Sequence, residues 1–195
     1  MCKMIHNKYF LILKQYLGNY KKELHGRGLI GKVHLSQKAI ALTLEELEKK
    51  GLLKSRKQGN MKYYGLNLEN TEIKDTINIV ELLQKIQFIT QHRTLAHIFR
   101  TDERIVGIFG SYAKSTQKER SDIDVFIIGN NEKLYTQEVK TYNLDISVKF
   151  FTEKEFLKLL KEKNPLTNEI IENHILLFGV EKWTNAIWRY HYGLN

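Results

Sequence analysis

Two apolar runs, residues 104–109 and 123–128, bracket a polar stretch that opens with Gly110-Ser111 and closes with Asp122-Ile123-Asp124. That order constrains the fold to a strand, a tight turn, a short helix and a return strand. The runs are short and rich in Ile, Val and Phe, as strands buried in a sheet are. A glycine directly after a strand lets the backbone come close to a ligand. Ser111 offers a hydroxyl and an amide at a helix start, a seat for phosphate oxygens. Lys114 adds a positive charge one turn further on. Asp122 and Asp124 are two residues apart in a strand, so alternation points both carboxylates to one face.

Two carboxylates facing a cleft repel each other unless a cation sits between them. Magnesium prefers a few carboxylates together with substrate phosphates. A third carboxylate, Asp145, falls in the next apolar run, residues 144–150, where Ser147 and Lys149 share its face and Ile146, Val148 and Phe150 face the core. Three carboxylates on adjacent strands can hold two metal ions. One activates an attacking hydroxyl and the other holds a triphosphate for in-line displacement.

Gly-Ser, ten residues, then Asp-x-Asp resembles the signature of the DNA polymerase β-like nucleotidyltransferase superfamily, and most of all its small, minimal microbial domains. The resemblance covers residues 90–180. It implies that Gly110, Ser111 and Lys114 cradle the triphosphate, that Asp122 and Asp124 bind both of two Mg2+ ions, and that Asp145 completes the catalytic metal site and favours deprotonation of the acceptor hydroxyl. It also implies transfer of a nucleoside monophosphate, AMP from ATP or its counterpart from another NTP, with pyrophosphate released. Ser115 stands where a glycine is common. Glu119 and Arg120 read as solvent-facing loop charges.

The charge of the chain is segregated. Residues 1–70 carry fourteen Lys and Arg against five Asp and Glu, the whole net charge of +9, whereas residues 71–195 carry seventeen of each. Such asymmetry suggests that the basic part meets a polyanion. Residues 36–66 resemble the core of a winged helix-turn-helix, with Ser36-Gln37-Lys38-Ala39-Ile40 opening a recognition helix and residues 54–64 forming the wing. The resemblance implies duplex DNA as partner. Lys54, Arg56, Lys57 and Lys62 would meet phosphates, and Gln37 and Lys38 would meet base edges. Ala41 and Leu42 depart from the polar readers such helices often carry, and Glu45 and Glu46 oppose a phosphate surface, so a dimerisation or partner-docking role stays open. Tyr63 and Tyr64 read as wing and core packing.

The rest of the pattern predicts helices over 4–17 and 72–99, a short element over 29–33, and a helix capped by Ser36 and ended by Gly51. Strands are expected over 52–56 and 61–66. A capping box, Thr152 and Glu155, opens another helix. Gly26 and Gly28 read as breaks, Pro165 as the separator between that helix and another ending near Gly179, and residues 183–190 as a final helix. The expected architecture is α/β (α+β). A winged helix domain (1–70) and a connecting helical region (71–99) precede a nucleotidyltransferase domain (100–195) with a small mixed sheet flanked by helices. One cysteine, Cys2, permits no internal disulfide. With neither an apolar run of membrane-spanning length nor a signal-peptide pattern, a cytoplasmic protein without membrane contact is expected. His92, His97, His174 and His191 show no metal-ligand spacing and read as structural or surface groups. Two alternatives remain open: a nucleotide-sensing, DNA-binding transcriptional regulator, or the antitoxin of a toxin–antitoxin pair. A protein acceptor, a toxin partner and a homodimer are compatible with all of these.

Overall fold

The computed structural model describes residues 7–98, 102–118, 121–131 and 145–193. Cys2, Glu119, Arg120, Leu144 and the side chain of His97 lie outside the described residues. The chain divides into two compact units, Met1–Leu83 and Gln84–Asn195.

In the first unit, helix α1 (Lys8–Leu13) is capped by Asn7, whose side chain accepts from the Tyr9 amide, and tightens into a 3-10 turn over Lys14–Tyr16. The helix expected over 4–17 is therefore shorter at its described C-terminal end. The Tyr16 hydroxyl donates to the Tyr64 carbonyl at 2.8 Å, anchoring this end inside the unit. Strand β1 (Leu24–His25) leads into a 3-10 turn, Gly26–Leu29. The glycines expected to break the pattern thus build the second element, held by His25 Nδ1 accepting from the Gly28 amide. Helix α2 (Gln37–Lys49) starts where expected, with Ser36 Oγ accepting from the Ala39 amide, and buries Ile40, Thr43, Leu44 and Leu47. Strands β2 (Leu53–Gln58) and β3 (Met61–Leu66) form a hairpin, and the antiparallel sheet runs β1-β3-β2. Tyr64 is buried and Tyr63 lies against His25, the packing roles expected of both.

Helix α3 (Ile73–Gln91) is followed at His92 by a break and by helix α4 (Arg93–Ile98), where one long helix was expected. The second unit then builds its sheet. Strand β4 (Ile105–Phe109) passes into a single helical turn, α5 (Gly110–Ala113), and β5 (Ile123–Ile128) returns antiparallel beside β4. Strand β6 (Ile146–Phe151) pairs with β5 in parallel. Helix α6 (Glu153–Lys161) opens on the complete Thr152–Glu155 capping box. Helix α7 (Pro165–Glu172) has Pro165 in its first turn. Strand β7 (Ile175–Phe178) and helix α8 (Val180–Tyr192) finish the unit. The order β6-β5-β4-β7 makes a mixed sheet. The expected helix from Pro165 to Gly179 is corrected: it ends at Glu172, and Ile175–Phe178 pairs with β4.

The strand pleat sorts β5 into two layers. Ile123, Val125 and Ile127 join Val106, Ile108, Ile175 and Leu177 under Phe88, Leu95 and Ile98 of α3 and α4. On the opposite face Phe126 meets Phe109 and Trp183, and Trp183 meets Phe156 and His174. Gly107 is the register partner of Phe126, and a Cβ there would collide with its ring. Burying a large side chain such as Phe126 is worth about 1.5–3 kcal/mol. No helix among the described residues is long and apolar enough to cross a membrane.

Candidate active site

Asp124 lies on the same face of β5 as Phe126, at the end of the strand where β4 finishes. Its register partner is Phe109. The next residue, Gly110, is buried with φ +68, a left-handed conformation, and a Cβ there would collide with Asp124 Oδ2. Both facts require glycine. The sequence pointed to close approach of a ligand at this position; the structure puts the Asp124 carboxylate there.

From Gly110 the turn closes through its own backbone. The amides of Lys114 and Thr116 donate to the carbonyls of Gly110 (3.1 Å) and Ser111 (2.9 Å). Ser115 has φ +56, so this position does adopt the conformation that favours glycine. Ser111 is half-buried. Tyr112 lies edge-on to the His92 ring at 5.5 Å, and His92 in turn packs on Phe88 at 4.5 Å. Burial lowers the His92 pKa. His92 is thus part of the packing beneath the turn. His174 is buried, with Nδ1 at 3.0 and 2.9 Å from the Ile170 and Ile171 carbonyls.

Asp122 is exposed and Asp124 half-buried. Burial first, and then the negative charges of Asp122 and Glu169, hold the Asp124 carboxyl above the ordinary aspartate range, with Lys149 opposing them. Asp145 is exposed and stands immediately before β6 rather than within it. Its carbonyl accepts from the Ile123 amide at 2.9 Å, which sets its backbone beside the Asp122–Asp124 segment. The alternation expected beyond it is present: Ile146, Val148 and Phe150 pack on the core.

The donor set suits a hard cation. It offers oxygen only, on one strand face, and one carboxylate is already destabilised as an anion by its neighbours. Among the described residues, however, no three Asp, Glu, His or Cys side chains converge into a cluster able to hold an ion. Asp122 and Asp124 are brought together; Asp145 is adjacent through its backbone. Lys114, expected at the triphosphate, is paired with Glu169 of α7 at 2.6 Å. Glu169 was missed by sequence reasoning, since a single glutamate in an amphipathic helix carries no motif.

Residues 93–182 match the family described as polymerase beta, nucleotidyltransferase. This region of the chain is similar to those nucleotidyltransferases. The matched segment contains Gly110, Ser111, the three aspartates and Glu169. A curated protein of Methanocaldococcus jannaschii, with the provisional name protein adenylyltransferase, is 32% identical over 75 residues, 38% of this chain and 54% of that protein. The chain thus spans about half of that relative's length.

The basic residues of the first unit are arranged differently. Gln37 and Lys38 are exposed at the start of α2. Lys54 pairs with Glu69 at 2.5 Å, Arg56 with Glu23 at 2.5 Å and Lys62 with Glu48 at 2.6 Å. Lys57 is exposed, opposite Lys62 in the hairpin. A cleft of about 410 Å³ lies between the α2 residues Gln37 and Ala41 and the hairpin residues Asn60, Met61 and Lys62.

Proposed function

We propose that the second unit is a metal-dependent nucleotidyltransferase that moves AMP from ATP to a hydroxyl group of an acceptor, and that the acceptor is a protein. The observation that carries this reading is the Gly110–Asp124 arrangement, in which a left-handed glycine yields its space to a half-buried aspartate beside a second one. The match over residues 93–182 supports the reaction class. The name of the M. jannaschii relative supports the protein acceptor and the adenylyl group.

In this reading Ser111 and Lys114 bind phosphate oxygens of the triphosphate. Asp122 and Asp124 would hold magnesium, with phosphate oxygens completing its coordination, and the ion would neutralise charge on the triphosphate and on the departing pyrophosphate. The acceptor oxygen forms a bond to the α-phosphorus, the bond from that phosphorus to the bridging oxygen breaks, and pyrophosphate leaves with the electron pair. Asp145 takes the proton of the attacking hydroxyl. Calorimetry with ATP and magnesium, and with ATP and a chelator, tests the foundation: ATP is expected to bind measurably in the first and poorly in the second. Absence of binding with every nucleotide would end this reading.

The first unit is read as a winged helix: α1, β1, a second helical turn, α2 and a two-stranded wing follow one another in that order. Its charge supports duplex DNA as partner. A second reading, docking of a protein or a second copy, is favoured by the exposed face of α2, where Ala41, Leu42 and Glu45 replace polar or basic readers.

A further inference from the structure

Glu169 is held in place firmly. Helix α7 is capped by Asn164, whose Oδ1 accepts from the Leu166 amide at 3.0 Å. Thr167, Ile170 and Ile171 are buried, and the Thr167 hydroxyl donates to the Asn164 carbonyl at 3.1 Å. From this helix the Glu169 carboxylate reaches across to Lys114 Nζ, at the end of the Gly110–Ala113 turn. Its charge is also felt at Asp124, together with that of Asp122. One carboxylate therefore does two things. It engages the cation at the end of the Gly110–Ala113 turn, and it adds negative charge beside a pair of aspartates. Lys149 is the cation acting on Asp124 from the sheet side.

We infer that Glu169 is a positioning residue that withholds Lys114 from bare nucleotide and so makes nucleotide binding depend on the accompanying cation. The inference rests on the nucleotidyltransferase reading. Metal-free ATP carries about four negative charges and must approach Asp122, Asp124 and Glu169 unshielded, with Lys114 already engaged; repulsion at these distances is strong in a partly desolvated site. ATP loaded with magnesium brings two compensating charges into the aspartate pair and loses less by the engagement of Lys114. The Lys114–Glu169 pair is partly exposed, and such pairs are weak enough to open when a stronger anion arrives. A triphosphate held beside the turn by its ion can therefore draw Lys114 away from Glu169, whereas bare ATP, although the stronger anion, is kept from the turn by the charges of Asp122, Asp124 and Glu169.

The test is calorimetry on the full chain with ATP plus magnesium and with ATP plus EDTA. The wild type is compared with Glu169→Gln, Glu169→Asp, Lys114→Gln and the Glu169→Gln/Lys114→Gln double variant, each checked for folding by thermal melting. Glu169→Gln is expected to raise metal-free ATP affinity about five- to tenfold and magnesium–ATP affinity by about threefold or less. Glu169→Asp should keep the wild-type discrimination. The gain should be clearly smaller when Lys114 is also replaced, because only the relief of Glu169's own charge beside Asp124 then remains. Equal gains in both conditions, no gain in metal-free affinity, or a gain undiminished by replacement of Lys114 would overturn the inference while leaving the nucleotidyltransferase reading intact. A wild type that binds no nucleotide would overturn both.

Discussion

Both units pair cations with carboxylates, but among the described residues only the second also brings negative charges to bear on one aspartate. In the first, cations find carboxylates: Lys8 pairs with Glu46, Lys54 with Glu69, Arg56 with Glu23 and Lys62 with Glu48. In the second, ion pairs such as Arg104–Asp102 and Lys114–Glu169 form as well, but at the start of β5 the negative charges of Asp122 and Glu169 both act on Asp124, with Lys149 opposing them. Surface pairs of the first kind contribute little to stability and can exchange partners. Like charges held together in the second kind oppose folding, and the structure keeps them close through Gly110 and the β4–β5 register. The contrast identifies the start of β5 as the place where the chain is arranged for something it does not itself supply.

The largest expected effects lie there. Asp124→Asn and Asp122→Asn should each depress adenylyl transfer by about a hundredfold or more and weaken magnesium–ATP binding together. Asp145→Asn should depress transfer by a similar factor and leave magnesium–ATP binding largely intact, because the aspartate pair on β5 is undisturbed. Labelled ATP and a co-purified acceptor measure the first quantity, calorimetry the second. Full transfer by the Asp145 variant would remove that residue from the chemistry.

In the first unit the comparison predicts smaller, salt-governed changes. Phosphates must compete with Glu23, Glu48 and Glu69 for the hairpin cations. If the full chain binds duplex DNA through them, affinity should fall by about tenfold or more between 50 and 200 mM salt. Replacing those three glutamates by glutamine should raise affinity, and Lys57→Glu should lower it, as read by fluorescence anisotropy. DNA binding unaltered by all four substitutions would assign the hairpin another role, and self-association of the full chain would then favour the docking face of α2.

The parts readable from sequence were those set by near neighbours. The Ser36 cap, the Thr152–Glu155 capping box and the strands flanking the Gly-Ser and Asp-x-Asp residues each depend on a few adjacent positions. What escaped was set at a distance. Ile175–Phe178 reads as the end of a helix because four apolar residues fit either period. Its strand character comes from β4, far away in the chain. Gly26 and Gly28 looked like breaks, but a 3-10 turn is stabilised there by the His25 side chain. Glu169 could not be found because its importance arises only when α7 is laid near the α5 turn. Nothing in the sequence signalled that Lys114 would be paired with Glu169, fifty-five residues away.

The smallest predicted effect follows from the sign of the Asp124 shift. Its carboxyl is raised in the folded chain above its unfolded value, by burial and by neighbouring negative charge. A group raised on folding favours the native state fully below its unfolded pKa, and that contribution is lost as pH rises through the folded pKa. Ionised Asp124 therefore works against the fold at neutral pH and much less near pH 4. Asp124→Asn removes the charge while keeping the shape, so it should raise the melting temperature at pH 7 by on the order of one or two degrees, a gain that shrinks toward pH 4. The effect is modest because Asp124 is only half-buried and water screens it. Magnesium–ATP added to the wild type should stabilise it in the same direction by compensating the same charge, and should stabilise the asparagine variant less. A variant that melts lower than wild type at pH 7, or a gain that grows on acidification, would show that Asp124 is satisfied within the fold after all, and the contrast between the two units would then no longer point to the start of β5.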